Sequence, residues 1–432
     1  MKRAAIGAAM VYAGICVLLG FLNVRAAGAE EKCAPSTLGV MNVKDCGTVA
    51  DGKNDDTGAI RSAIAAAEPT RAEIYFPPGR YLVTAPVRGF SGIVLAGEAG
   101  SYSYSTSGIA APGMPSVLVA SADFGNRALL DFTRLTNTAV LNLGFDLGAT
   151  QSYAVELGSR QDGTEYPNHQ IDRISVRGGQ VGIRARNAGL LHIRNSNFSD
   201  AGYIAIWLDG YTGDSDLEGN YVNGTYLNAP APFGTPESVG PAGTGIYVGT
   251  GSGNVNIHGG KIEWNAIGVL ISNSQGITIT GVNFDYNTWG HVVIHGYSSA
   301  PQIYPRGVII NGNRLLSGGT QGSQSAIYID VDHAEAIVSI TGNSFRMAAA
   351  NANDFDGSPE DSRHVIPTTG PKAYGIRIDS TSGIAHVNIT GNEMFHCAGI
   401  NSIRASGPGI AVHDEGNLKN PGNNYTGGAT RE

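Results

Sequence analysis

The chain has 432 residues, 61 of them Gly, with 42% hydrophobic and 15% charged. It is too apolar for a disordered chain, and its glycines do not recur at every third position, which excludes collagen. A formal net charge of −8 argues against a nucleic-acid partner.

Lys2 and Arg3 precede an apolar run that ends near Ala27-Gly28-Ala29. Basic start, apolar middle and small-residue end predict a signal peptide over 1–29, hence a secreted or periplasmic protein without a membrane anchor after cleavage. Removing Lys2, Arg3 and Arg25 leaves the remainder more acidic still. Cys16 leaves with the leader. Cys33 and Cys46 are close enough to bridge the new N-terminus, and Cys397 is expected to be buried.

Residues 43–83 read VKDCGTVADGKNDDTGAIRSAIAAAEPTRAEIYFPPGRYLV. Ala50-Asp51-Gly52 predicts a turn, and Asp55-Asp56-Thr57 predicts the start of a helix running to about Ala67. A strand at 73–76, a Pro77-Pro78-Gly79 turn and a strand at 81–83 follow. Asp51, Asp55 and Asp56 are read as turn and capping residues, not as catalysts.

Residues 255–272, VNIHGGKIEWNAIGVLIS, and 277–294, ITITGVNFDYNTWGHVVI, superimpose with a shift of 22. The shift sets Ile257 on Ile279, Ile262 on Phe284, Glu263 on Asp285, Trp264 on Tyr286 and Gly268 on Gly290. Looser apolar-x4-apolar copies include Ile193/Phe198, Ile310/Leu315, Ile340/Phe345 and Ile389/Met394, several with Gly-Asn between. A second pattern, as in Gly182-Ile183-Arg184-Ala185 and Gly375-Ile376-Arg377-Ile378, alternates inward and outward residues. Short strands, polar corners and a period of about 22 to 31 predict a parallel β-helix. Stretches 223–243 and 348–371 break the period and are expected outside the coil.

The 43–83 motif, with the repeats, closely resembles the N-terminal cap and coils of the pectate lyase superfamily, in the branch related to family 28 glycoside hydrolases and phage tailspikes. The resemblance covers most of residues 40–415. It implies an all-β, single-stranded right-handed parallel β-helix with a short N-terminal capping helix, acting on or binding polysaccharide. The expected divisions are a leader (1–29), the cap (30–90), the coils (91–415) and a flexible tail (416–432). Polygalacturonases of that family carry aspartates immediately before the Gly-Ile strand. Here the matching residues are Val181, Thr244, Ile267, Trp289 and Tyr374, none of them acidic.

Candidate chemistry lies in the central coils. Glu263 and Asp285 fall on adjacent rungs, which stack at about 4.8 Å, and such a pair suits retaining glycoside hydrolysis. Neighbouring carboxylates disfavour double ionisation, giving an acid beside a base or nucleophile. Asp200 is a third candidate at a similar corner. Trp207, Tyr247, Trp264, Tyr286 and Trp289 are expected to stack on sugar rings. Arg184, Arg186, Lys261 and His291 are expected to bind substrate. The first reading is a monomeric glycoside hydrolase with a polysaccharide substrate and no cofactor. The alternatives are a polysaccharide lyase, for which calcium would be the expected ion, and a non-catalytic polysaccharide-binding or surface protein. A tailspike-like trimer is compatible with the pattern.

Overall fold

A computed structural model describes residues 33–100, 114–158, 167–225, 242–287, 289–297, 304–316, 325–332, 334–346, 374–395, 403–419, 426–427 and 430–431. The expected leader (1–29), Cys397 and most of the stretches 223–243 and 348–371 lie outside them.

Among the described residues, strands form three parallel sheets of 14, 13 and 12 strands, called A, B and C. Each turn of chain visits them in that order. Gly253–His258 is in A, Lys261–Glu263 in B and Ile267–Ser272 in C. The next coil repeats this with Gln275–Thr280, Asn283–Asp285 and Gly290–Tyr297. The chain is a single-stranded right-handed parallel β-helix.

The apolar-x4-apolar motif is the A-to-B corner. Ile279 ends one inward row and Phe284 opens the next, and both are fully buried. Phe145, Val176, Phe198 and Val222 stack in register down sheet B, as do Ile262, Phe284, Leu315 and Phe345. At the corner, Gly281 and Gly312 hold φ of 66° and 64°, a backbone region that a side chain disfavours. The following Asn residues form a ladder. Asn313 Nδ2 donates to the Ile279 carbonyl, and its Oδ1 accepts from the Val282 N–H at 2.9 Å. The Asn313 amide in turn donates to Asn343 Oδ1, and Asn343 to Asn392 Oδ1. Buried corner amides are thereby satisfied rung by rung.

The 22-residue equivalence holds in sheets A and B but slips by one in sheet C. Ile267, not Gly268, pairs with Gly290, because the second B-to-C corner is one residue longer.

The helix, α1, spans Thr57–Ala67 and buries Ile60, Ala63, Ile64 and Ala67, one stripe at helical spacing. It packs on Val40–Asn42, Glu73–Phe76 and Val87–Arg88, closing the first coil. The expected turn at 50–52 leads into a strand, Asp51–Asp55, paired with Gly79–Val83. Cys33 and Cys46 form a disulfide beside this cap. At the other end, Leu418–Lys419, Thr426–Gly427 and Thr430–Arg431 pair with sheets B, C and A. No helix of the described residues is long and apolar enough to cross a membrane.

Candidate active site

Sheet B strands expose alternate residues, so Lys261 and Glu263 face outward around buried Ile262, and Asn283 and Asp285 around buried Phe284. Strand pairing sets Tyr221 against Lys261, Asn223 against Glu263 and Glu263 against Asp285. Three coils thus converge on one carboxylate. The Tyr221 hydroxyl donates to Glu263 Oε1, and the Lys261 ammonium contacts Glu263 Oε2. The same ammonium lies 3.8 Å from Asp285 Oδ2.

The two acids sit in different surroundings. Glu263 is 5% exposed and both its oxygens are occupied by donors. Burial pushes the Asp285 carboxyl up to about 6, and the Glu263 charge adds to the rise, while Lys261 and Arg314 oppose it. A protonatable acid beside a fully engaged carboxylate is the division of labour that acid-assisted bond cleavage needs.

Immediately after these acids the chain turns into sheet C through Trp264 and Tyr286, at φ of 56° and 48°. Their rings stack, with centroids 4.4 Å apart and planes 14° apart. Trp289 stands at the entry to sheet C, 5.9 Å from Tyr328. On the outer face of that sheet, Glu156, Arg184, Trp207 and Tyr247 occupy successive rungs of one column. Trp207 lies 6.1 Å from Tyr247 and 5.8 Å from Tyr203. Aromatic rings thus stand both at the corner beside the carboxylates and on the outer face of sheet C. Trp289 and Tyr247 also pack on an outer cluster of Ile267, Leu270, Val293 and Tyr328, so part of each ring serves the fold.

Three expected site residues fall elsewhere. Asp200 follows Ser199, which pairs with Asn223, so it shares the corner position of Trp264 and lies two strands from Glu263. It does not join the carboxylate pair. His291 is fully buried. Because of the one-residue slip it takes the inward position of Gly268, with Nδ1 3.0 Å from Asn287 Nδ2 and its ring against Phe284. Burial pulls its pKa down to about 3, so it is a neutral core histidine and not a substrate ligand. Arg184 is held 3.5 Å from Glu156 and over the rings of Trp207 and Tyr153. Its guanidinium is already engaged, whereas Arg186 is exposed and pairs in register with Asp209.

Tyr221 escaped the sequence reading. Its equivalence to Lys261 is hidden by the 223–243 insertion, which breaks the period between them. The Gly219-Asn220 corner just before it was the available signal.

Residues 40–226 match the family model described as rhamnogalacturonase A/epimerase, pectate lyase-like. That stretch is similar to pectate lyase-like proteins. No curated protein matches the sequence at a significant level. Among solved structures, the Dettilon tailspike protein is similar with a TM-score of 0.58 and 15% identity, covering 89% of this chain and 67% of that one. The DFA-IIIase of Arthrobacter chlorophenolicus A6, bound to DFA-III, is similar with a TM-score of 0.56 and 15% identity, covering 87% of this chain and 94% of its own. The active domain of bacteriophage CBA120 tailspike protein 2 gives 0.55 at 14%, covering 81% of this chain, which spans only 47% of that protein. At these identities the likeness shows the β-helix fold alone, and the argument about chemistry rests on this chain's own carboxylates.

Proposed function

We propose that this is an exported carbohydrate-active protein, a glycoside hydrolase that cleaves a polysaccharide with Glu263 and Asp285. The observation that carries the reading is the unequal treatment of two carboxylates sharing one lysine. The pectate lyase-like match and the tailspike and DFA-IIIase folds agree with a carbohydrate substrate.

Asp285, protonated near pH 6, donates its proton to the glycosidic oxygen as the bond to the anomeric carbon breaks. Glu263, oriented by Tyr221 and Lys261, attacks that carbon to form a glycosyl ester. Water then displaces Glu263 while Asp285 takes back a proton. Adjacent rungs at about 4.8 Å favour the closer carboxylate spacing of retaining enzymes, about 5–5.5 Å, over the wider inverting one. Trp264, Tyr286 and Trp289 hold sugar rings by stacking.

The test is incubation with neutral and acidic polysaccharides. New reducing ends without the ultraviolet absorbance of an unsaturated product are expected, and Asp285→Asn should lower kcat by roughly 10²–10⁴-fold. Unsaturated product would instead establish elimination, and binding without cleavage a binding protein. Full activity in Glu263→Gln would remove this pair from the chemistry.

A further inference from the structure

A second cluster of titratable groups lies on sheet A, around the corner from Glu263. In strand Gly213–Glu218, Leu217 is buried, so Asp216 and Glu218 project outward on one face. His258 is the rung partner of Glu218 on one side. On the other, His192 pairs with Asp216 and Arg194 with Glu218. Ligand atoms of Asp216, Glu218 and His258 all lie within 4.8 Å of one another.

Arg194 currently supplies the positive charge. Its Nη2 lies 3.3 Å from Asp216 Oδ2 and its Nε 3.4 Å from Glu218 Oε2. Both contacts are longer than a strong charge-assisted bond of about 2.7–2.9 Å. Nη2 is also 3.3 Å from His192 Nδ1. A guanidinium nitrogen only donates, so that Nδ1 presents its lone pair towards the same centre. The cation thus sits among two carboxylates and an imidazole lone pair, with the His258 ring 2.8 Å from Asp216. Two carboxylates against one guanidinium leave an unbalanced negative charge. The side chains of Asp216, Glu218 and His258 are 22%, 46% and 39% exposed, so an ion can reach them from solvent.

We infer that Asp216, Glu218 and His258 form a binding site for a divalent transition-metal ion that displaces Arg194. Imidazole nitrogens beside carboxylates select zinc or cobalt over calcium or magnesium, which take oxygen ligands. On binding, His258 Nε2 gives up its hydrogen bond to Asp216 and either shifts its proton to Nδ1 or loses it to solvent. The site ties two successive coils together and is independent of the proposed hydrolysis.

The untagged full chain is titrated with zinc chloride by calorimetry and with cobalt chloride by visible absorption. One equivalent is expected to bind, with a tetrahedral cobalt band. His258→Gln and Asp216→Asn should each weaken binding roughly tenfold or more, the scale of losing metal-site partners. Arg194→Gln should tighten it, and Glu263→Gln should leave it unchanged. No binding at millimolar zinc, or binding that survives both ligand substitutions, would overturn the assignment.

Discussion

The N-terminal cap and the central coils each hold an aspartate, one buried and one part-buried, whose carboxyl is pushed above its usual range, yet the two are built for different ends. Asp56, 1% exposed, spends its oxygens on the Val49 and Ala50 N–H groups, so local backbone claims it. Burial raises its pKa and those bonds only partly offset the rise. Asp285 rises for the same first reason, but its side-chain neighbours Glu263, Lys261 and Arg314 come from other strands. A raised pKa therefore does not distinguish a structural acid from a reactive one; the identity of the partners does. Backbone donors saturate and immobilise a carboxyl, whereas side chains converging from separate rungs leave it exchangeable.

The sharpest way to break that distinction is to remove each acid in turn. Asp285→Asn is expected to lose activity by orders of magnitude while keeping the thermal transition at neutral pH, measured by product release and circular dichroism. Asp56→Ala should do the reverse. It removes the acceptor of the part-buried Val49 and Ala50 N–H groups, costing about 1–3 kcal/mol of stability by denaturant titration, with kcat of the folded fraction unchanged. If Asp56→Ala abolished kcat in fully folded protein, the cap would belong to the site.

Titration separates the regions next. Asp285, with a native pKa of about 6 against 3.8, contributes stability below the unfolded value that is lost as pH rises through 6. Asp285→Asn should therefore gain relative to wild type between pH 4 and 8, on the order of 2 kcal/mol. Cap residues run the other way. The Asp51 carboxyl is lowered by the Asn54 and Lys53 N–H groups. That of Asp55 is raised by burial but lowered further by its bonds to Thr57 and Thr84. Their contribution is present above the ordinary carboxylate value and fades on acidification. A pH-stability difference curve that was flat for Asp285→Asn would contradict the part-buried, acid-paired setting of this residue.

The β-helix was legible because its information is periodic. Ile279 and Phe284 recur as Ile310 and Leu315 and as Ile340 and Phe345, and a corner glycine punctuates each pair. The Glu263–Asp285 register was legible for the same reason, since both lie in sheet B before the slip occurs. His291 was not, because a single extra corner residue carries it from an apparently open strand into the position of Gly268. Asp200 failed by one residue as well, landing on the turn instead of the strand end. Tyr221 was masked by an insertion that separates it from its rung partner. Register errors of one residue reverse a side chain's face, so faces are where periodic reasoning is weakest.

The smallest expected effect concerns the aromatic corner, where folding and binding contributions can be pulled apart. Trp264 holds φ of 56°, and the residue at the same corner one strand earlier is Gly224, at 73°. A non-glycine residue there stores strain of about 1–3 kcal/mol, which Trp264→Gly releases, while the same change removes the stack on Tyr286, worth about 0.5–1.5 kcal/mol beyond area burial. The two terms oppose each other in stability, so the melting temperature should move little. They do not oppose each other in binding, because only the ring meets a sugar. KM should rise several-fold with kcat nearly unchanged, read from initial rates over a range of polysaccharide concentrations. An unchanged KM alongside a lowered melting temperature would make the stacked pair a structural clasp of the corner, as fully committed to the fold as Asp56 is to the cap.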